Sequence, residues 1–309
     1  MKKLLFFGDN GAPFFQILSE ASHQVEWVDV WPLSEFKTQL KRHYGENCMP
    51  ILLGCNYARF LEFYKEVIVR EKFYLQFMEF QSRGLVLCDF VKPFWKQFVK
   101  DTGGLYSRLY PIDMPNGLIA EHDNQIFSPI VGLPIGHWLN ACELQPERMQ
   151  ILSFAGTTHL YPERQNCIDS LIKLGIQVAL LAPKTASPSA FDQYRNVDYW
   201  RYLDLLLHST LTLNFPLATS SSGGGLHIKG RYWEAMATGS ILVEQHNNLC
   251  DLMRPKPRII NYIDLEEIAG IVARYQERSK ASLIEEKRFQ ITESKGLFDA
   301  SAYFGQFQR

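Results

Sequence analysis

The sequence predicts an α/β chain made of two Rossmann-like, doubly wound halves, and three stretches carry that prediction. Lys3-Leu4-Leu5-Phe6-Phe7 is a short apolar run that turns through Gly8-Asp9-Asn10-Gly11-Ala12-Pro13 into a helical pattern. A doubly wound domain opens in this way. Gln150–Ala155 repeats the opening in the second half, followed by Gly156-Thr157-Thr158 and another helix. The third stretch runs from the β-like Leu211–Phe215 through a Ser/Gly loop and a helix to Ile241-Leu242-Val243. Such strand–loop–helix–strand units cross over right-handed between parallel strands.

In chain order, the first helix is expected near Phe14–Ala21 and a second strand over His23–Val30, where Val25 and Trp27 alternate with polar positions. Ser34–Tyr44 reads as a helix with Ser34 as its N-cap. Pro50–Gly54 and Leu85–Asp89 read as strands, with helical stretches at Tyr57–Ser82 and Lys92–Lys100. Leu118–Val131 holds two short strands around Asp123-Asn124. Gly132-Leu133-Pro134-Ile135-Gly136-His137-Trp138 has the punctuation of an interdomain hinge. The expected division is therefore a first domain over 1–136, a second over 137–292, and a C-terminal segment over 293–309.

The second half continues with a helix over Gln165–Leu174, a strand over Gln177–Leu181, and a short helix at Trp200–Ser209. A loop and short helix at Leu249–Pro257, a strand at Arg258–Tyr262 and a long helix over Leu265–Glu293 complete it. The last residues carry Phe298, Tyr303, Phe304 and Phe307, too apolar for a loose tail.

Chemistry concentrates in His227–Glu244, H-I-K-G-R-Y-W-E-A-M-A-T-G-S-I-L-V-E. Tyr232, Trp233, Ala235, Met236 and Ala237 bury most of this helix, and Gly239 stands where a left-handed residue ends it. Arg231, Glu234 and Thr238 fall at i, i+3 and i+7, one polar stripe. Lys229 stands at the helix mouth, where unpaired N–H groups and the dipole favour an anion. Charges on a mostly buried helix need partners. Either Arg231 and Glu234 bond each other, or the cations hold a diphosphate and Glu234 a ribose diol.

K-x-R-x-x-E-A-x-A-x-G-S-x-L-V-E resembles the nucleotide-sugar site of the group 1 glycosyltransferases of GT-B fold, nearest the branch labelled spore-maturation-type. The resemblance covers roughly residues 134–275. It implies two Rossmann-like domains facing across a cleft, with the second binding the donor and a final helix returning to the first. It places Glu234 on the donor ribose, and Lys229 and Arg231 on the diphosphate as the catalytic cations. The F-x-G-x-x-x-x-x-R opening of the family's donor domain matches Phe154, Gly156 and Arg164, so Gly156, Thr157, Thr158 and Arg164 are expected to face the phosphates. Asn214 ends the preceding strand of the same site, and His137 lies in the hinge. Gly8, Asp9 and Asn10 would face the acceptor. Many relatives carry a second glutamate eight residues before Glu234; here that position is Leu226.

The expected activity is transfer of a sugar (a hexosyltransferase-type reaction) from a nucleoside-diphosphate sugar to a glycan, lipid or protein acceptor. The family's retaining mechanism needs no protein base, and fixed cations substitute for a metal at the leaving diphosphate. No D-x-D triplet occurs, and the eight histidines show no paired metal spacing. No cofactor beyond the donor substrate is expected. The alternatives are a GT-B-shaped binding protein without turnover and an exostosin-like glycosyltransferase. A dinucleotide oxidoreductase is disfavoured because neither half carries the full glycine fingerprint with its acidic partner.

The totals agree with this picture. Across 309 residues the net charge is −1, so no basic field recruits nucleic acid or an anionic membrane. Peripheral membrane contact is left open. Aromatics make up 13% of the chain, which suits sugar handling and a large core alike. Six scattered cysteines with no C-x-x-C pair are expected to be reduced thiols of a cytoplasmic protein. Met1-Lys2-Lys3 begins like a signal peptide, but the apolar run ends by Gly8. No run approaches the length of a membrane span.

Overall fold

A computed structural model describes residues 1–8, 13–43, 46–54, 86–89, 105–107, 113–114, 125–126, 134–156, 158, 161–181, 199–215, 226–227, 230–247, 256–305 and 308. The chain divides into two compact units, Met1–Ile130 with Ala300–Arg309, and Val131–Leu217 with Leu226–Asp299.

The first unit holds strands β1 (Lys3–Gly8), β2 (Val28–Pro32), β3 (Cys48–Gly54), β4 (Val86–Asp89), β5 (Leu105–Ser107) and β6 (Gln125–Ile126). They form one sheet in the order β2-β1-β3-β4-β5-β6, and every pairing is parallel. Helix α1 (Pro13–Ser22) returns the chain from β1 to β2, and α2 (Phe36–Arg42) leads towards β3. Leu4, Phe6, Leu18, Val28 and Ile51 share a core with Tyr303 and Phe304 near the C-terminus. Phe304 meets Phe6 edge-on at 5.3 Å, and the Gln308 side chain exchanges hydrogen bonds with the Lys2 backbone.

In the second unit the short helix α3 (Gly136–Ala141) precedes five strands, β7 (Gln150–Ala155), β8 (Ala179–Leu181), β9 (Ser209–Asn214), β10 (Ile241–Gln245) and β11 (Ile259–Tyr262). Their order is β11-β10-β9-β7-β8, again parallel throughout. Counted within each unit, the first sheet runs 2-1-3-4-5-6 and the second 2-1-3-4-5, both doubly wound orders. The fold is thus α/β with two Rossmann-like units. Helices α4 (Pro162–Lys173), α5 (Tyr199–Leu207), α6 (Gly230–Thr238), α7 (Leu265–Gln276) and α8 (Lys280–Ser294) cover the second sheet, and α9 (Ala300–Gly305) belongs to the first unit. Every residue of β9 is buried, as expected of a parallel strand covered on both faces. Its Leu211 and Leu213 pack with Leu152, Phe154, Ile241 and Val243 beneath Ile168 and Ile268.

Several expected boundaries are corrected. β2 starts at Val28, because residues 23–27 form a turn closed by Gln24 N–H to Ala21 O (3.1 Å) and Val25 N–H to Ser22 O (3.0 Å). Ser34 is not an N-cap. Pro32, at φ −60°, leads straight into a 3-10 turn over Leu33–Glu35, and α2 begins after it with no side-chain cap. α4 starts three residues earlier than expected, because Pro162 lacks an N–H that the first helical position does not need. The long helix expected over 265–293 is two helices, broken where the Ser279 hydroxyl accepts from Ser282 N–H and starts α8. The helices expected at 57–82 and 92–100 lie outside the described residues, as do the Ser/Gly loop and residues 249–255 of the loop expected at 249–257.

Two close approaches require glycine. A Cβ on Gly136 would stand 2.6 Å from the Phe298 carbonyl oxygen, and Gly239 ends α6 with φ +68° against the Lys287 backbone. Lys287 itself is buried, and its ammonium donates to Leu206 O (3.0 Å), Ser209 O (2.6 Å) and Ser240 Oγ (3.1 Å). It therefore ties α8 to α5 and to the amino ends of β9 and β10. Cys142 and Cys167 are free thiols, and burial pushes both up to about 11. Among the described residues no helix is long and apolar enough to cross a membrane.

Candidate functional site

In a doubly wound sheet the crevice for ligands opens at the carboxyl ends of the strands, where the order reverses between the first and third. In the second unit those strands are β7 and β9, ending at Ala155 and Asn214. Helix α6 enters at this point. Tyr232, Trp233, Ala235 and Ala237 are at most 5% exposed and fasten it to the sheet. Each buried aromatic contributes about 1.5–3 kcal/mol, so the first turn of α6 is held in place.

Arg231, on that first turn, spans the reversal. Its Nη1 donates to Leu213 O at 3.2 Å and its Nη2 donates to Ala155 O. Its Nε donates to the Tyr202 hydroxyl at 3.5 Å. The guanidinium lies 5.4 Å from the Phe154 ring centroid. Gly156 permits this fork: its φ is +142°, and a Cβ there would sit 3.2 Å from Arg231 Nη2. Its N–H does not face a ligand but is given to Leu181 O at 3.0 Å, because β7 and β8 remain paired to that point.

Glu234 lies one turn further on and is 7% exposed. The direct Arg231–Glu234 bond weighed from the sequence does not form. Glu234 Oε1 accepts from the Tyr199 hydroxyl at 2.6 Å, and Oε2 accepts from the Tyr202 hydroxyl at 2.5 Å. Burial raises the Glu234 pKa, and the two tyrosine bonds and the Arg231 charge oppose that rise. Burial beside Glu234 also pushes Tyr202 well above its usual range, so it stays a donor. Thr238, third in the stripe, bonds back to Glu234 O at 2.8 Å.

A carboxyl raised in the folded state favours folding below its unfolded pKa, and that contribution is lost as pH rises through the folded value. Glu234→Gln is therefore expected to gain stability on wild type between pH 5 and 7.5. Urea midpoints of both proteins at the two pH values would show this; an unchanging difference would contradict it.

Asn214 is buried at the end of β9 and donates through Nδ2 to Glu244 Oε2 at 2.6 Å. Glu244, 0% exposed on β10, also accepts from the Tyr232 hydroxyl (2.7 Å) and Asn247 Nδ2 (2.9 Å). The Asn214 Oδ1 has no hydrogen-bond partner among the described residues. Arg164, 9% exposed, lays its guanidinium 3.8 Å from the Tyr161 ring centroid. Thr158 is buried, and its carbonyl accepts from Tyr161 N–H at 2.9 Å. His137, on α3, shares a 2.8 Å hydrogen bond between Nδ1 and Pro134 O and meets the Trp200 ring edge-on at 5.8 Å. Gly8 closes β1 beside Pro32. Lys229, Thr157, Asp9 and Asn10 lie outside the described residues.

The structure therefore brings Arg231, Glu234 and Gly156 together at one sheet edge, with Asn214 ending the adjoining strand. Sequence reasoning missed Tyr199 and Tyr202, although their i, i+3 spacing on α5 puts both hydroxyls on one face. It also missed Glu244, whose burial depends on its neighbours.

Fold and site define this chain as an α/β protein of two doubly wound units, with an arginine–glutamate helix at the reversal of the second sheet. No protein-family model matches the chain, and no curated protein is similar to it. Among solved structures it is similar to a sucrose-phosphate synthase from Thermosynechococcus elongatus at 10% identity, over 100% of this chain and 98% of that one, with a TM-score of 0.47. It is also similar to a UDP-forming α,α-trehalose-phosphate synthase from Burkholderia vietnamiensis (11% identity, 96% and 75% coverage, TM-score 0.37). An α1,3-fucosyltransferase is a third such structure (9% identity, 99% and 90% coverage, TM-score 0.39). Likenesses this distant leave the function to be argued from the residues themselves.

Proposed function

We propose that the chain is a GT-B glycosyltransferase of the group 1 kind, whose second unit binds a nucleoside-diphosphate sugar. The observation that carries this reading is the Arg231 fork across Ala155 O and Leu213 O. It fixes a guanidinium at the carboxyl edge of the sheet, at the reversal, with Glu234 one turn away. Of the five N–H groups of a guanidinium three are used here, which leaves two for an anion. In this reading Arg231 and Lys229 stabilise the leaving diphosphate without a metal. Glu234 accepts from the ribose diol, and Asn214 Oδ1 offers a further acceptor. Arg164, Gly156, Thr157 and Thr158 border the phosphates, and His137 lies towards the sugar. Gly8, Asp9 and Asn10 serve the acceptor side, the acceptor being a glycan, lipid or protein. Transfer is retaining and of hexosyl type, in the cytoplasm.

Titration calorimetry against UDP, GDP and ADP tests the proposal. One of the three is expected to bind with micromolar affinity, and a matching nucleotide sugar is expected to be hydrolysed slowly without acceptor. Diphosphate binding with no sugar released from any donor would favour the binding-protein alternative, which Leu226, standing where many relatives carry a second glutamate, supports. No binding of any diphosphate would reject both.

A further inference from the structure

Arg231 and Glu234 stand three residues apart on α6, a spacing at which an arginine and a glutamate on one helix face ordinarily pair. Here they do not, and the reason lies on another helix. Tyr199 and Tyr202 present two hydroxyls from α5, and each donates to a different oxygen of the Glu234 carboxylate. Tyr202 also stands between the two charges. Its one proton is committed to Glu234, so its oxygen is what accepts from Arg231 Nε.

We propose that Tyr202, helped by Tyr199, is a spacer that keeps Glu234 and Arg231 apart, so that the carboxylate can take a vicinal diol while the guanidinium keeps its charge for a phosphate. This rests on the nucleotide-sugar reading above and assigns positioning residues to it. Each carboxylate oxygen has two lone pairs, and each has spent one on a tyrosine. One remains on each oxygen, side by side, and two adjacent hydroxyls of a ribose match that pair. Every described partner of Arg231 is neutral: two carbonyls and a phenol. Arg231 therefore acts on Glu234 only through space and is not ion-paired to it, whereas a direct pair would tie up the guanidinium before a ligand arrived. Among the described residues, Arg231 is the charged group that acts on Glu234.

Calorimetry on the full chain separates the two halves of the proposal. Inorganic pyrophosphate probes the anion alone, and a nucleoside diphosphate against its 2′-deoxy form probes the diol. Wild type is expected to prefer the ribose form about tenfold, the value of one well-made charged hydrogen bond. In Tyr202→Phe the carboxylate closes onto Arg231: pyrophosphate should bind about tenfold more weakly, and the ribose preference should shrink towards one. Adding Glu234→Gln to Tyr202→Phe should restore pyrophosphate binding, a rescue that a merely structural tyrosine would not give. Tyr199→Phe should reduce the ribose preference through the other oxygen, so that it decides the matter if Tyr202→Phe does not fold. Folded variants with wild-type pyrophosphate affinity and ribose preference would overturn the spacer and leave the nucleotide reading standing. A wild-type protein that binds none of these diphosphates would remove the nucleotide reading and the spacer with it.

Discussion

Arg231→Ala is expected to lower turnover of the sugar-nucleotide donor about 10²-fold, the usual loss when one fixed donor to a developing negative charge is removed. The expectation follows from where the fork is anchored. Ala155 O and Leu213 O belong to the two strands that flank the reversal, so the guanidinium is held before substrate arrives and needs no reorganisation during the reaction. Alanine removes the charge and leaves two strand-end carbonyls without that donor. Arg231→Lys separates the effects. A lysine keeps a point charge but cannot bond both carbonyls and a ligand through one planar fork, so it should recover only part of the loss. Steady-state kinetics of donor hydrolysis, with thermal midpoints as a fold control, would measure both variants. Wild-type turnover in a folded Arg231→Ala protein would end the assignment of this residue to the leaving group.

The second large effect concerns stability. Gly239→Val is expected to cost about 3 kcal/mol, because two penalties fall on one residue. The backbone there has φ +68°, where an L side chain costs about 1–2 kcal/mol and a β-branched one more. The added Cβ would also come 2.9 Å from the Lys287 carbonyl oxygen and 3.1 Å from Lys287 Cγ, an overpacking worth about 1–3 kcal/mol. The obstructing atom is backbone, on the helix whose ammonium ties down β9 and β10, so it cannot swing aside. Gly239→Ala should show a smaller loss of the same sign. Urea unfolding would rank the three proteins, and a valine variant as stable as wild type would mean that α6 ends differently.

Much of this was legible in the sequence where local chemistry and fold agree. The apolar runs at Lys3–Phe7, Gln150–Ala155 and Ile241–Val243 became strands because their neighbours bury both faces, which a continuous apolar run already requires. Gly239 was readable as a left-handed stop because only glycine takes that conformation without strain. The aromatic and alanine positions of α6 were readable as its buried faces. Two of the boundaries that slipped, the turn after α1 and the 3-10 turn at Leu33–Glu35, were set by backbone bonds with no strong side-chain signature.

Which residues answer the charges on α6 could not be read from the same sequence. Spacing alone offers Arg231 and Glu234 to each other, and a direct bond between them is a sound local solution. It is overruled by Tyr199 and Tyr202, which lie some thirty residues earlier and meet α6 only because both helices pack on the same sheet. The strand order of the second sheet decided in turn that Arg231 stands where β7 and β9, the strands on either side of the reversal, end side by side.

By itself the sequence determined the doubly wound halves, the buried helix and its polar stripe, since these depend on periodicity and on the conformations that single residues allow. Only the tertiary structure decided that the arginine is held by carbonyls and the glutamate by tyrosines. Hydrogen-bond partners are chosen by distance in space, and that distance exists only once the strands have been ordered.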